Sequence, residues 1–183
     1  NAIARRRLAD LSIVTPSGRV EIPHSQWAER EPQSTLRVAT GEVGTYLLGA
    51  ALRPRMLSLD GPAFNAYLKE EGLDGMLAAR TAQGRLREAS QERYSKYVKA
   101  LVQVGQARTD AYSQALGYAA EIIPLANPYQ LAVGDILQLR CLVDQAPASG
   151  LVVFAGGRSP SGARLQVQRL VADPEGVIAL RLT

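Results

Sequence analysis

The chain has 183 residues, of which 46% are hydrophobic and 21% charged, with a formal net charge of +4, one cysteine and one histidine. That length supports one full domain or two small ones, and the composition is that of a chain that buries a core. The counts exclude an intrachain disulfide and a cysteine-based zinc site, and no run approaches the roughly 18 apolar residues of a membrane-spanning helix.

The pI near 9.5 is mild. Outside Arg5–Arg7 the basic residues alternate with acids, so nucleic acid is not expected as a partner. The chain begins at Asn1 with no initiator Met or leader, as expected of a mature or trimmed product.

In chain order, residues 8–14 (LADLSIV) read as a strand closed by a Thr15-Pro16-Ser17-Gly18 turn, and residues 19–22 as a short second strand. Residues 23–32 read as a polar loop holding His24 and Trp27. Residues 34–40 alternate like a half-buried strand, residues 41–44 form a turn, and the apolar run 45–52 is a core strand that Pro54 ends, with another short strand at 55–59.

A helical insertion is expected next. Asp60 caps a first helix with Pro62 in its first turn and Phe64, Tyr67 and Leu68 on its apolar face, and Gly72 closes it. Asp74 opens a second helix through Met76, Leu77 and Arg80 to Gly84. Tyr94, Tyr97, Val98, Leu101 and Val102 then fall at i, i+3, i+4, i+7 and i+8, which predicts a third helix over 90–104, capped by Ser90 and ended by Gly105.

Residues 106–114 are polar and turn-like. Short strands are expected at 121–124, 136–143, 151–155, 165–170 and 177–182, with turns at Gly134-Asp135, 144–150, 156–162 and 173–176. The expected fold class is therefore mainly β with a helical insertion: an Ig-like β-sandwich portion at 1–59, a three-helix segment at 60–107 that bridges the two β-domains, and a second Ig-like β-sandwich at 108–183.

Candidate chemistry is sparse. Cys141 sits in an alternating strand and reads as a buried structural thiol. His24 would have to be the base of any triad, and no nucleophile motif accompanies it. Glu70 and Glu71 flank a helix end and read as solvated charge. An enzyme is not expected. Among Glu92, Arg93, Tyr94, Tyr97 and Lys99, the trio Arg93, Tyr94 and Lys99 is the first place to look for a bound ligand.

Three stretches carry a family resemblance: Thr45-Tyr46; Phe64 to Leu73, in an F-x-x-Y-L-x-x-E-G-L pattern; and Glu92 to Leu101, ERYSKYVKAL. Glu121-Ile122-Ile123-Pro124, Asn127-Pro128-Tyr129 and Gly134-Asp135 continue it. Together they resemble a bacterial family of secreted or periplasmic proteins of unknown function, linked to an auxiliary component of nickel or cobalt uptake. Its second half is similar to transthyretin-like or carboxypeptidase-regulatory-like β-sandwich modules.

The resemblance implies a periplasmic or secreted, non-enzymatic binding or accessory protein with a membrane transporter component as partner and nickel or cobalt as a candidate cofactor. The alternative is a protein- or glycan-binding module without metal, with Trp27, Tyr112 and Tyr129 as candidate contacts. A metal would use His24 as a lone imidazole completed by Glu21, Glu29 or Glu31. Family members begin with a His-containing aromatic segment and continue into a Gly-x-Trp strand, so this chain is expected to be shortened at both ends. It also departs from the family at Ala119-Ala120, where Pro-Leu is usual, and at Gln145, where a turn Gly is usual. Both departures are expected to be structural.

Overall fold

The computed structural model describes residues 2–159 and 161–183; Asn1 and Pro160, the latter within the turn expected over 156–162, lie outside the described residues. The chain divides into two compact units, one made of the residues up to Leu52 together with Tyr97–Thr183, the other of Arg53–Lys96.

In the first unit, β1 (Leu8–Thr15) turns back through Pro16-Ser17 into β2 (Gly18–Glu21), with Thr15 opposite Gly18. The stretch read as a polar loop contains a strand, β3 (Trp27–Arg30), which pairs as a hairpin with β4 (Gln33–Leu36), the first part of the strand expected over 34–40. The indole Nε1 of Trp27 donates to the Ile3 carbonyl at 2.8 Å, and Trp27 and Leu36 pack on the core. A tertiary anchor thus decides what local polarity left as loop.

β1 also pairs with β5 (Gly44–Leu59), and β5 lies between β1 and β6 (Ser90–Val104) in a sheet of order β2-β1-β5-β6. Over residues 45–52 β5 is covered on both faces, so it reads as a continuous apolar run. One face joins Leu8, Leu11, Ile13, Ile22, Tyr46 and Leu52; the other joins Val14, Leu47, Ala51, Ala111, Leu116 and Tyr118. Leu8, Leu11 and Leu47 are each 1% exposed, and full burial of such a side chain stabilises the fold by about 1.5–3 kcal/mol. Gly49 admits this second layer: a Cβ there would meet Leu116 Cδ1 at 2.3 Å and the Tyr118 hydroxyl at 2.5 Å.

Further along, β7 (Ala120–Pro124), β8 (Ile136–Val143), β9 (Ala146–Pro147) and β12 (Val177–Arg181) form a second sheet of order β12-β8-β7, with β9 on β8. β10 (Val152–Ala155) and β11 (Gln168–Val171) pair as a hairpin. The alternation expected over 136–143 is present. Cys141 is fully buried with Ala172 and Ile178, against Leu139, Val153 and Leu170, and burial pushes its thiol up from the ordinary range.

In the second unit, α1 (Gly61–Glu70) begins as expected, with the Asp60 carboxylate accepting the Ala63 N–H at 2.8 Å and Phe64 and Leu68 buried. α2 (Asp74–Ala82) follows. Its hub is Arg80, 8% exposed. Its guanidinium donates to Asn65 Oδ1 (3.0 Å), Ser90 Oγ (2.6 Å) and the Arg85 and Glu88 carbonyls (2.8 and 2.7 Å), and lies 5.0 Å from the Phe64 ring centroid.

The third helix of the expected three-helix segment is not there: residues 90–104 are strand β6. The apolar series that imitates a helix comes from a phase change. Glu92 and Tyr94 are shielded on one phase of the alternation, Tyr97, Lys99, Leu101 and Gln103 on the other. Inward positions at 94, 97 and 101 then reproduce i, i+3 and i+7, while the tyrosines and valines that carry the pattern favour strands. Pro54 likewise does not end β5, which runs on to Leu59. Pairing with β1 stops at Leu52, so the ladder requires fewer N–H donors beyond it.

Candidate functional site

His24 opens a short 3-10 turn, His24–Gln26, and is half-buried. Two of the acids expected beside it are engaged elsewhere: Glu29 accepts the Arg5 N–H at 2.7 Å and Glu31 accepts the Ala2 N–H at 3.2 Å, holding the N-terminal segment. Among the described residues no group of three or more His, Cys, Asp or Glu side chains converges as a metal cluster would.

Arg93, Tyr94 and Lys99 do not form one site. Arg93 is exposed and Tyr94 half-buried, as successive strand residues facing opposite ways. Tyr94 lies among Tyr67, Glu92 and Lys96. The Lys96 ammonium is 5.9 Å from its ring centroid. Burial, and then the neighbouring Glu92 carboxylate, push the Tyr67 phenol up from 10.0 to about 12. The buried Oε2 of Glu92 has no hydrogen-bond partner among the described residues.

Lys99 is committed to the first unit. Its ammonium donates to Glu121 Oε2 at 2.9 Å and to the Gln114 carbonyl at 3.1 Å. Glu121 also accepts the N–H groups of Leu116 (2.9 Å) and Tyr118 (2.7 Å). Burial by itself would raise this carboxyl. The Leu116 N–H, the Lys99 ammonium and the Tyr118 N–H together outweigh it and hold the group below its ordinary 4.5. Nearby, Asn127, Thr45, Gln103 and Thr109 form a buried hydrogen-bonded chain. These groups are saturated, which is the pattern of structural polarity.

The opposite pattern occurs on the neighbouring part of β8. A cleft of about 760 Å³ is lined by Ser113, Ile123, Pro124, Leu125, Arg140, Leu142, Gln145, Pro147, Pro174 and Glu175, within the size range of small-molecule sites. Arg140 is the register partner of Ile123 on β7, and Leu142 that of Pro147 on β9, so strand alternation turns Arg140 and Leu142 one way while Cys141 enters the core.

Two tight turns bring in the rest. Val143 pairs with Ala146 across Asp144 (φ 48°) and Gln145 (φ 66°), a two-residue turn with both central residues left-handed. Turns of this kind favour Gly at the second position, and a side chain such as Gln there costs about 1–2 kcal/mol. Across the cleft, Asp173 Oδ1 accepts the N–H groups of Glu175 (3.0 Å) and Val177 (2.7 Å). Gly176, at φ 73°, lets this turn press onto β8: a Cβ would meet the Cys141 carbonyl oxygen and the Ala148 nitrogen at 2.8 Å. Three prolines stiffen the rim.

The side chains of Arg140, Gln145 and Glu175 make no hydrogen bond and no ion pair among the described residues. Sequence reasoning missed this site because its members come from four separate segments. The one local signal was Gln145 in a turn position that favours Gly.

A family model described as a domain of unknown function (DUF4198) matches residues 3–183. No curated protein and no solved structure matches the chain significantly.

Proposed function

We propose that the chain, which belongs to this family of domains of unknown function (DUF4198), is a non-enzymatic binding domain whose ligand seat is the cleft on β7 and β8. In this reading it works in the periplasm or as a secreted protein, as an accessory beside a membrane transporter. The free guanidinium of Arg140 in an apolar, proline-framed cleft carries the reading. Such a group recognises a carboxylate or another anion on an apolar body. The lining supplies recognition groups: the Ser113 hydroxyl already donates to the Asp110 carbonyl at 2.8 Å, and the only imidazole of the chain belongs to another element.

Location and transporter come from the resemblance of the 64–101 and 121–135 motifs. The packing of β12-β8-β7 against the β10–β11 hairpin supports the transthyretin-like reading of 108–183. A guanidinium repels a bare divalent cation, so on this reading a link to nickel or cobalt uptake runs through the transporter contact and not through coordination in the cleft.

Isothermal titration with sodium isovalerate, a branched aliphatic carboxylate, tests the seat. Saturable binding that Arg140→Gln weakens about fivefold is expected, with nickel chloride giving no heat that depends on Arg140. Isovalerate binding of equal strength in Arg140→Gln overturns the reading.

A further inference from the structure

Resting on that reading, we infer that the ligand is a short apolar peptide with both ends free. Its carboxylate lies on Arg140, its ammonium on Glu175 and its peptide group on Gln145. The cleft presents three polar groups without partners among the described residues, of three kinds: a cation that only donates, a carboxylate that only accepts and an amide that does both. A receptor for a simple anion gains nothing from Glu175, whose charge repels the ligand. A peptide zwitterion uses both charges, and its internal amide matches Gln145.

The backbone supports the same assignment. Glu175 sits on a turn pinned by Asp173 and by the tight approach of Gly176 to β8, so its carboxylate is held at the rim without a counter-ion of its own. Gln145 occupies a left-handed position that Gly would occupy without strain. Its amide is the compensation, because it is the group that position brings to the cleft. Ile123 and Leu142 offer the apolar surface for the peptide's side chains. A longer chain would carry a neutral amide where Glu175 calls for an ammonium.

The test is isothermal titration of the full chain with leucyl-leucine, N-acetyl-leucyl-leucine and leucyl-leucine amide. The free dipeptide is expected to bind, and blocking either end to weaken binding about fivefold, the most an accessible ion pair contributes. Glu175→Gln should bind free and acetylated peptides alike, Arg140→Gln should bind acid and amide alike, and Gln145→Gly should bind the dipeptide more weakly while melting higher. Equal affinity of wild type for the free and acetylated peptides, or no dipeptide binding beside a retained isovalerate response, overturns the inference and leaves the carboxylate seat standing. Loss of the isovalerate response as well removes both.

Discussion

Glu121 and Arg140 lie on the same face of neighbouring strands, and they are treated in opposite ways. Glu121 is 5% exposed and accepts from Lys99, Leu116 and Tyr118. Arg140 faces an open cleft and bonds to nothing among the described residues. A buried charge must be matched or the fold loses several kcal/mol. A charge left free at the surface costs little to keep and is available to a ligand. Arg80 extends the comparison to the second unit: a buried cation with no carboxylate partner among the described residues, satisfied by carbonyl, amide and hydroxyl oxygens. The distinction therefore lies between groups with partners and groups without, not between paired and unpaired ions.

Substitutions can break that distinction. The largest effect is expected for Glu121→Ala, which leaves the half-buried ammonium of Lys99 without its carboxylate and two buried N–H groups without an acceptor, and should cost about 4 kcal/mol in urea unfolding. Because the folded-state carboxyl lies below 4.5, its stabilisation is complete above that value and is lost as pH falls through the folded pKa. Glu121→Gln should therefore flatten the acid limb of the stability curve, and an unchanged limb would show that other groups set it. Arg80→Met should cost about 3 kcal/mol by leaving the Arg85 and Glu88 carbonyls unpaired.

Smaller effects sharpen the contrast. Gln145→Gly should raise stability by about 0.5 kcal/mol, the relief of a left-handed side chain less the flexibility Gly adds to the unfolded chain. Arg140→Gln should change stability by less than about 0.5 kcal/mol, as expected of a group the fold does not use. A loss above 2 kcal/mol would make Arg140 structural.

Much of the fold was legible in local chemistry. Asp60, Pro62 and Gly72 marked α1, and the alternation of 136–143 marked β8 and placed Cys141 inside. β6 was misread because its alternation changes phase between Tyr94 and Tyr97, and two strand phases joined that way imitate one helical face. The β3–β4 hairpin was hidden because its anchor, the Trp27 bond to Ile3, spans 24 residues. The cleft was the least legible part. Arg140, Glu175 and the prolines each look like ordinary surface or turn residues until register and two turns bring them together. Only Gln145, in a left-handed turn position that favours Gly, breaks a local rule.

The central claim is that the partnerless groups around Arg140 form the binding seat. Chemical-shift mapping of the full chain with isovalerate tests it most directly. The account predicts saturable amide shifts confined to residues 123–125, 140–147 and 173–177, with the saturation midpoint about fivefold higher in Arg140→Gln. Shifts centred instead on the Arg93 and Tyr94 stretch of β6 or on the His24 turn, with the cleft unmoved, would contradict it.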